Sequence, residues 1–171
     1  MIEALTHAVL GWMQQHQAWA PPVVFVLAFG ESLALISLLL PATVILIAAS
    51  GLIGAAGLPF WPIWAAAVAG AAIGDAVSYW LAYHFQESIG RMWPLSRHPD
   101  LLPRGHEFFR RWGAGSVFLG RFFGPLRAVV PLVAGICGMS QIPFQIANIA
   151  SALVWATGIL APGVFGVRWL L

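Results

Sequence analysis

Residues 118–127 read FLGRFFGPLR and place two arginines, Arg121 and Arg127, on either side of a Gly-Pro pair. The apolar stretch around them runs from Trp112 to Met139. A charged side chain in the hydrocarbon core of a membrane costs roughly 3 kcal/mol on insertion scales. A chain therefore keeps such arginines only where they face a partner, water or a ligand. We predict that this segment contributes to a polar site inside a membrane protein.

The composition indicates an integral membrane protein. Of the 171 residues, 60% are hydrophobic and 8% are charged, against about 25% charged in an ordinary soluble domain. We expect a single domain over residues 1–171. The net charge of +2 gives no reason to expect a nucleic-acid partner. The single cysteine, Cys137, excludes an internal disulfide, and the five histidines show no metal spacing, so neither a metal nor a cofactor is expected.

Two apolar stretches are long enough to cross a membrane, which takes about 20 residues. Phe60 to Tyr83 carries one charge, Asp75, and Ile142 to Val167 carries none. Both are predicted to be transmembrane helices. Asn148, in the second of them, is expected to hydrogen-bond within the helix bundle.

Two further apolar stretches are interrupted by proline. Pro22 to Gly57 contains Pro41, and residues 113–139 contain Gly124-Pro125 and Pro131. Proline removes a backbone donor and clashes with the preceding turn, so each part is about 10–15 residues long and too short to cross. Broken helices at membrane depth are tolerated where they pack in protein or line a cavity. We predict two re-entrant helical hairpins; the alternative is two ordinary kinked spans.

The chain also resembles itself at a shift of 84 residues. The matching landmarks are Pro41 with Pro125, Gly51 with Gly135, Gly54 with Gly138, Pro59-Phe60 with Pro143-Phe144, and Thr43 opposite Arg127. Each repeat would be a hairpin plus one crossing, and a unit with an odd number of crossings is inverted when it recurs. Inverted repeats with broken helices form transporters. The prediction is an all-α membrane protein with opposed hairpins: repeat 1 at about 21–85, a polar connector at 86–112 and repeat 2 at about 113–168.

The connector holds five of the eight arginines, which predicts a cytoplasmic location. Its end, Leu101 to Trp112, mixes arginines with Phe108 and Phe109 and is predicted to be an interfacial helix, the alternative being a solvated loop. A second interfacial helix is predicted for residues 2–16.

Two acids, Glu31 and Asp75, are placed as unusually as the two arginines, and the four charges sum to zero. We interpret them as one site. The arginine fork fits a pair of phosphate oxygens, and amides exposed at a broken helix add donors. The alternative is that the ion pairs only lock the fold, although an apolar core is often as stable as a buried ion pair. A bound phosphate would make the site negative, and protonating one carboxylate would restore neutrality, which is a route to proton coupling.

Three motifs resemble the DedA family, also called the SNARE-associated Golgi or VTT-domain proteins. They are Phe29-Gly30-Glu31-Ser32 followed by Pro41, Gly74-Asp75 with Tyr79, and the segment from Phe118 to Arg127 with Pro131 and Gly135 after it. The resemblance implies two opposed re-entrant hairpins and lipid translocation. It assigns the family's intramembrane acids to Glu31 and Asp75, and its arginine pair to Arg121 and Arg127. Many members carry a second acid where this chain has Thr43.

The resemblance implies a multi-pass protein of the bacterial inner membrane that recycles undecaprenyl phosphate and is not an enzyme. In this hypothesis Arg121 and Arg127 bind the lipid phosphate, while Glu31 and Asp75 balance charge or relay protons. The supporting residues are Thr43, Tyr79, Pro41, Gly124 and Pro125. An energy-independent phospholipid scramblase, for example of phosphatidylethanolamine, is the alternative, and a membrane lipid phosphatase is a remote one. A homodimer is left open.

Overall fold

A computed structural model of the chain describes residues 14–33, 42–85, 101–123 and 126–170, and the structural statements below concern that part. Its α-helices, in chain order, are α1 (Ala20–Ser32), α2 (Ala42–Ala55), α3 (Phe60–His84), α4 (Leu101–Gly120), α5 (Leu126–Ile136) and α6 (Gln141–Leu170). A 3-10 turn, Gln17–Trp19, precedes α1. The described residues are helices and turns, so the all-α prediction is confirmed for them.

Several predicted features lie outside the described residues. They are Pro41, Gly124, Pro125, most of the predicted helix at 2–16, and residues 86–100 of the connector.

The two predicted spans are present as long helices. α3 has 25 residues and α6 has 30, and at 1.5 Å per residue both exceed the roughly 30 Å of a hydrocarbon core. Each is apolar enough to cross a membrane by composition. Their outward surfaces are apolar too, with Ile73, Trp80, Ile146 and Val154 all about half exposed. Such a surface suits contact with lipid and is unusual in a soluble monomer.

Both apolar stretches are divided into shorter helices as predicted, with α1, α2 and α5 of 13, 14 and 11 residues. α1 ends at Ser32, and Leu33 is already extended, with ψ of 123°. The first break thus begins eight residues before Pro41. The second lies between Gly120 and Leu126. The re-entrant course of the chain and the inversion of the repeats stay predictions.

The prediction that Pro131 interrupts the second stretch is wrong, since α5 continues through it. Pro131 removes one helical hydrogen bond, the one to the carbonyl of Arg127. Its side chain is fully buried, and packing of this kind can override a poor helix propensity.

The prediction of a helix from Leu101 to Trp112 is confirmed as the first part of α4. The helix bends sharply at Gly113, where φ is 46° and ψ is −129°. A positive φ is readily adopted only by glycine, so the sequence places the bend there. The residues after the bend, Ala114 to Gly120, form the first arm of the second broken stretch. The interfacial location of the residues before the bend stays a prediction.

The short helices pack on the long ones in a recurring pattern. α1 packs along α3, and α4 packs along α6. The short helix after each break instead contacts the long helix of the other half, α2 against α6 and α5 against α3. A Cβ added to Gly51 would lie 3.9 Å from Val167, and one added to Gly135 would lie 3.0 Å from the backbone of Tyr83. These two contacts are related by the 84-residue shift, so the sequence repeat is matched by a repeat of contacts.

Candidate functional site

Arg121 lies directly after α4 and reaches across to Asp75 in the middle of α3. Its Nη2 forms an ion pair with Asp75 Oδ2. The same nitrogen donates a hydrogen bond of 2.6 Å to Asn148 Oδ1 on α6. Arg121 is 4% exposed and Asp75 is 5% exposed, so this ion pair is removed from solvent and joins three elements of the fold.

Arg127, the second residue of α5, forms the other ion pair. Its Nη1 donates to Glu31 Oε1 at 2.8 Å and to Thr43 Oγ1 at 3.2 Å. The Thr43 hydroxyl in turn donates to the same Glu31 oxygen. The Trp155 ring of α6 lies against the guanidinium group, with Arg127 Cζ 4.7 Å from the ring centroid. Arg127 and these three partners are held by four different helices, at the ends of the two broken segments and along α6.

Ser32 connects the two ion pairs. Its Oγ is 3.5 Å from Arg127 Nη2, a long hydrogen bond, and its side chain is also close enough to the Asp75 carboxylate to interact with it. Ser78 Oγ donates to the Ser32 carbonyl at 3.3 Å, which fixes the end of α1 on α3. The four charges that the sequence singled out are therefore brought together in one buried network, here called the ionic network: Glu31, Ser32, Thr43, Asp75, Arg121, Arg127, Asn148 and Trp155.

Of the expected supporting residues that the structure describes, Thr43 joins the ionic network and Tyr79 does not. Tyr79 lies about one turn along α3 from Asp75, and its hydroxyl donates to the carbonyl of Met139. Its ring stacks on Phe144, with centroids 4.1 Å apart. Tyr79 thus fastens α3 to the turn between α5 and α6, and its assignment as a supporting site residue stays a prediction.

The hydrogen bonding predicted for Asn148 is confirmed, since its Nδ2 donates to the Ala72 carbonyl at 2.9 Å. Its contact with Arg121 was not predicted, and neither were the roles of Ser32 and Trp155. The position of Trp155 within the predicted span was the one sequence signal for its role. Tryptophans of membrane helices are enriched at the two interfaces, whereas Trp155 is near the middle of the second predicted span.

The charges of the ionic network sum to zero, yet its hydrogen bonding is incomplete. Within the described part of the chain, Arg121 Nε, Arg121 Nη1 and Glu31 Oε2 are buried without a hydrogen-bond partner. Buried polar atoms are nearly always paired, and leaving one unpaired costs about 1–3 kcal/mol. The network therefore has two donor nitrogens that can bond an oxygen atom of a ligand and one carboxylate oxygen that can hold a proton.

A surface cavity lies elsewhere in the molecule. It measures about 710 Å³ and is lined by the bend of α4 and the α5–α6 turn, including Arg110, Gly113, Met139 and Pro143. None of the four charged residues of the ionic network lines it. Chemistry, and not volume, identifies the site, because a buried neutral cluster of four charges is far rarer than a surface cleft.

Membrane-length helices, an apolar outer surface and an internal ionic network define a membrane protein with a polar site in its interior. Residues 40–165 match the family model of the VTT domain, and the chain belongs to this family, the DedA family.

Two relatives show how far the similarity extends. The inner membrane protein YabI of Escherichia coli is 33% identical over 153 residues, which cover 90% of this chain and 60% of YabI. An uncharacterized membrane protein of Mycobacterium tuberculosis is 32% identical over 162 residues, covering 88% of this chain and 74% of the relative. The chain spans about 60% of the length of YabI and 56% of a Buchnera aphidicola membrane protein. No solved structure matches the chain.

Proposed function

We propose that this chain is a lipid transporter that binds a phosphate headgroup between two re-entrant hairpins. The substrate that fits best is undecaprenyl phosphate, carried across a bacterial inner membrane in which the chain is a multi-pass protein. One observation carries the proposal: Arg121, buried beside Asp75, has two guanidinium nitrogens, Nε and Nη1, without a hydrogen-bond partner in the described chain.

The unpaired donors favour a phosphate over other ligands. Guanidinium groups bind phosphate oxygens through short, charge-assisted hydrogen bonds, and arginine does not lose its proton. Arg127 is within the same network through Ser32, so one headgroup can reach both cations after modest side-chain movement. A phosphate at this point exchanges with the carboxylates as a partner of the arginines, which explains why the chain keeps charges that an apolar core would make unnecessary.

Charge balance supports coupling to protons. The ionic network is neutral before the lipid binds, and a phosphate monoester adds at least one negative charge. A proton on Glu31 or Asp75 restores neutrality. Glu31 Oε2, buried and unpaired in the described chain, is an atom where this proton can be held. We propose that one proton accompanies each lipid.

The packing of the halves supports alternating access. Each short helix after a break contacts the long helix of the other half. The ionic network lies where α1 and α4 end and where α2 and α5 begin. If the repeats are inverted, the two broken segments open toward opposite faces, as in other transporters built on inverted repeats. The lipid tail stays in the bilayer throughout.

An energy-independent phospholipid scramblase is the second candidate. The observation that favours it is Thr43, whose hydroxyl occupies the space between Glu31 and Arg127 where many family members have a second acid. One titratable group fewer leaves less capacity for proton coupling. We propose no hydrolysis of the phosphate, since no histidine belongs to the ionic network within the described residues.

Reconstitution into vesicles tests the proposal. Wild-type protein should translocate undecaprenyl phosphate, measured as the phosphate monoester that becomes accessible to an impermeant phosphatase outside, faster than phosphatidylethanolamine, measured as the amine that becomes accessible to an impermeant amine reagent. The double variant Glu31→Gln/Arg127→Gln keeps the network neutral, so it should fold and yet lose this activity. Equal rates for the two lipids would favour the scramblase, and wild-type transport by the double variant would refute the phosphate assignment.

A further inference from the structure

Helix α6 carries no charge in the ionic network, yet it contacts both arginines. Asn148 receives the hydrogen bond from Arg121, and Trp155 lies against Arg127. These two residues are seven positions apart, which places them on one face of the helix about 10.5 Å apart along its axis. Each arginine thus has one acidic partner from the first half of the chain and one neutral partner from α6.

We propose that Asn148 and Trp155 are positioning residues, which hold the two guanidinium groups in place while a lipid phosphate exchanges with the carboxylates. The inference rests on the proposed function, because it assigns to α6 the part of the site that does not change during binding.

The orientation of the Asn148 amide supports this role. Asn148 is fully buried, and its Nδ2 donates to the Ala72 carbonyl at 2.9 Å and to Gln145 Oε1 at 3.2 Å. A carbonyl oxygen can only accept, so the nitrogen must face Ala72 and the amide oxygen must face Arg121. An arginine can only donate, so this contact is matched and needs no movement of α6. Asn148 therefore holds Arg121 Nη2 whether or not Asp75 is its partner.

Trp155 holds Arg127 by a different contact. The ring is 6% exposed and its face lies 4.7 Å from Arg127 Cζ. A cation over a tryptophan face is attracted by the ring quadrupole, most strongly where water is excluded. The contact uses none of the N–H donors that bond Glu31 and Thr43, so these donors stay available to them and to a ligand. Arg127 is thus held in place without an anion that would compete with phosphate.

The test compares variants of both residues in vesicles, with initial rates measured against undecaprenyl phosphate concentration. Trp155→Leu should raise the half-saturating concentration about tenfold with the maximal rate nearly unchanged. Trp155→Phe retains a ring face, so it should raise that concentration only about threefold. The control is Trp64→Leu, which removes a partly buried tryptophan that bonds Thr157 on α6 instead of an arginine; it should leave the half-saturating concentration unchanged.

Asn148→Leu keeps the branched shape of the side chain, at a larger volume, and removes the acceptor, so it should also raise the half-saturating concentration about tenfold. Its control is Thr157→Val, a polar-to-apolar change on the same helix away from the ionic network. A purely structural role would lower the melting temperature and the maximal rate without changing the half-saturating concentration. If the leucine variants do not fold, the half-saturating concentration of Trp155→Phe alone tests the inference.

Wild-type half-saturating concentrations in all folded variants would overturn the inference, as would equal losses in Trp155→Phe and Trp155→Leu. Failure of the proposed function looks different, because the Glu31→Gln/Arg127→Gln variant would then transport at the wild-type rate. A normal Trp155→Leu together with an inactive Glu31→Gln/Arg127→Gln variant would remove the inference and keep the proposed function.

Discussion

Asp75→Asn removes the anionic partner of Arg121 and leaves a buried cation held only by amide groups. Breaking a buried ion pair from one side costs about 3–5 kcal/mol. For a chain of this length, 1 kcal/mol corresponds to about 2–4 °C in melting temperature, so the variant should melt about 6–20 °C below wild type. Arg121→Gln, which leaves Asp75 without its cation, should fall in the same range.

The double variant Asp75→Asn/Arg121→Gln should recover most of this loss, because it buries two amides and no unpaired charge. The coupling free energy between the two changes should be at least about 2 kcal/mol. Thermal unfolding of the four proteins in one detergent gives this value, with Glu107→Gln as the control, since it makes the same acid-to-amide change at an exposed residue. Additive losses, or single variants that melt within about 2 °C of wild type, would refute the reasoning that burial sets the cost.

Two further predictions concern groups that surround the charges. Thr43→Val removes the hydroxyl that bonds Glu31 and lies 3.2 Å from Arg127 Nη1, so transport should fall several-fold while Thr43→Ser keeps it; equal rates in both would contradict this role. Gly70→Ala would place a Cβ against the Phe25 carbonyl oxygen and 3.1 Å from the Phe29 backbone nitrogen, so it should cost about 1–3 kcal/mol in thermal unfolding. Gly158→Ala, which has nothing within 4 Å, should be neutral or slightly stabilising. A stable Gly70→Ala would show that α1 and α3 pack less closely than described.

The long helices and the identity of the charged residues could be predicted because both are local properties of the sequence. A run of about 20 apolar residues indicates a span, and the predicted Phe60 to Tyr83 differs from α3 by one residue. A charge inside an apolar stretch costs free energy wherever it lies in the fold. Glu31, Asp75, Arg121 and Arg127 were therefore expected to form ion pairs.

The pairing and the neutral partners could not be predicted in the same way. Which acid meets which arginine depends on how α1, α3, α4 and α5 pack, and composition does not encode this. Proline was a poor guide to the breaks: the first begins at Leu33 with no proline in place, and Pro131 stays inside α5 because it is buried there. Tyr79 was named because it belongs to the motif that contains Asp75, and the sequence did not indicate that its hydroxyl bonds the Met139 carbonyl.

The chain belongs to the DedA family, and the ionic network is the feature of its structure from which a function can be argued. A neutral set of buried charges with unpaired donors costs free energy if it only stabilises the fold. It is well suited to bind a ligand that brings its own charge. The proposed lipid transport therefore requires that Arg121 and Arg127 bind the phosphate.

Equilibrium binding of two lipids with the same tail tests this most directly. Undecaprenyl phosphate and undecaprenol differ only in the phosphate group, so their affinities for the purified protein in detergent isolate its contribution. The account predicts that wild-type protein binds the phosphate at least about tenfold more tightly, and that Asp75→Asn/Arg121→Gln removes the difference. Equal affinity of the wild-type protein for both lipids, or a preference that persists in the double variant, would contradict it.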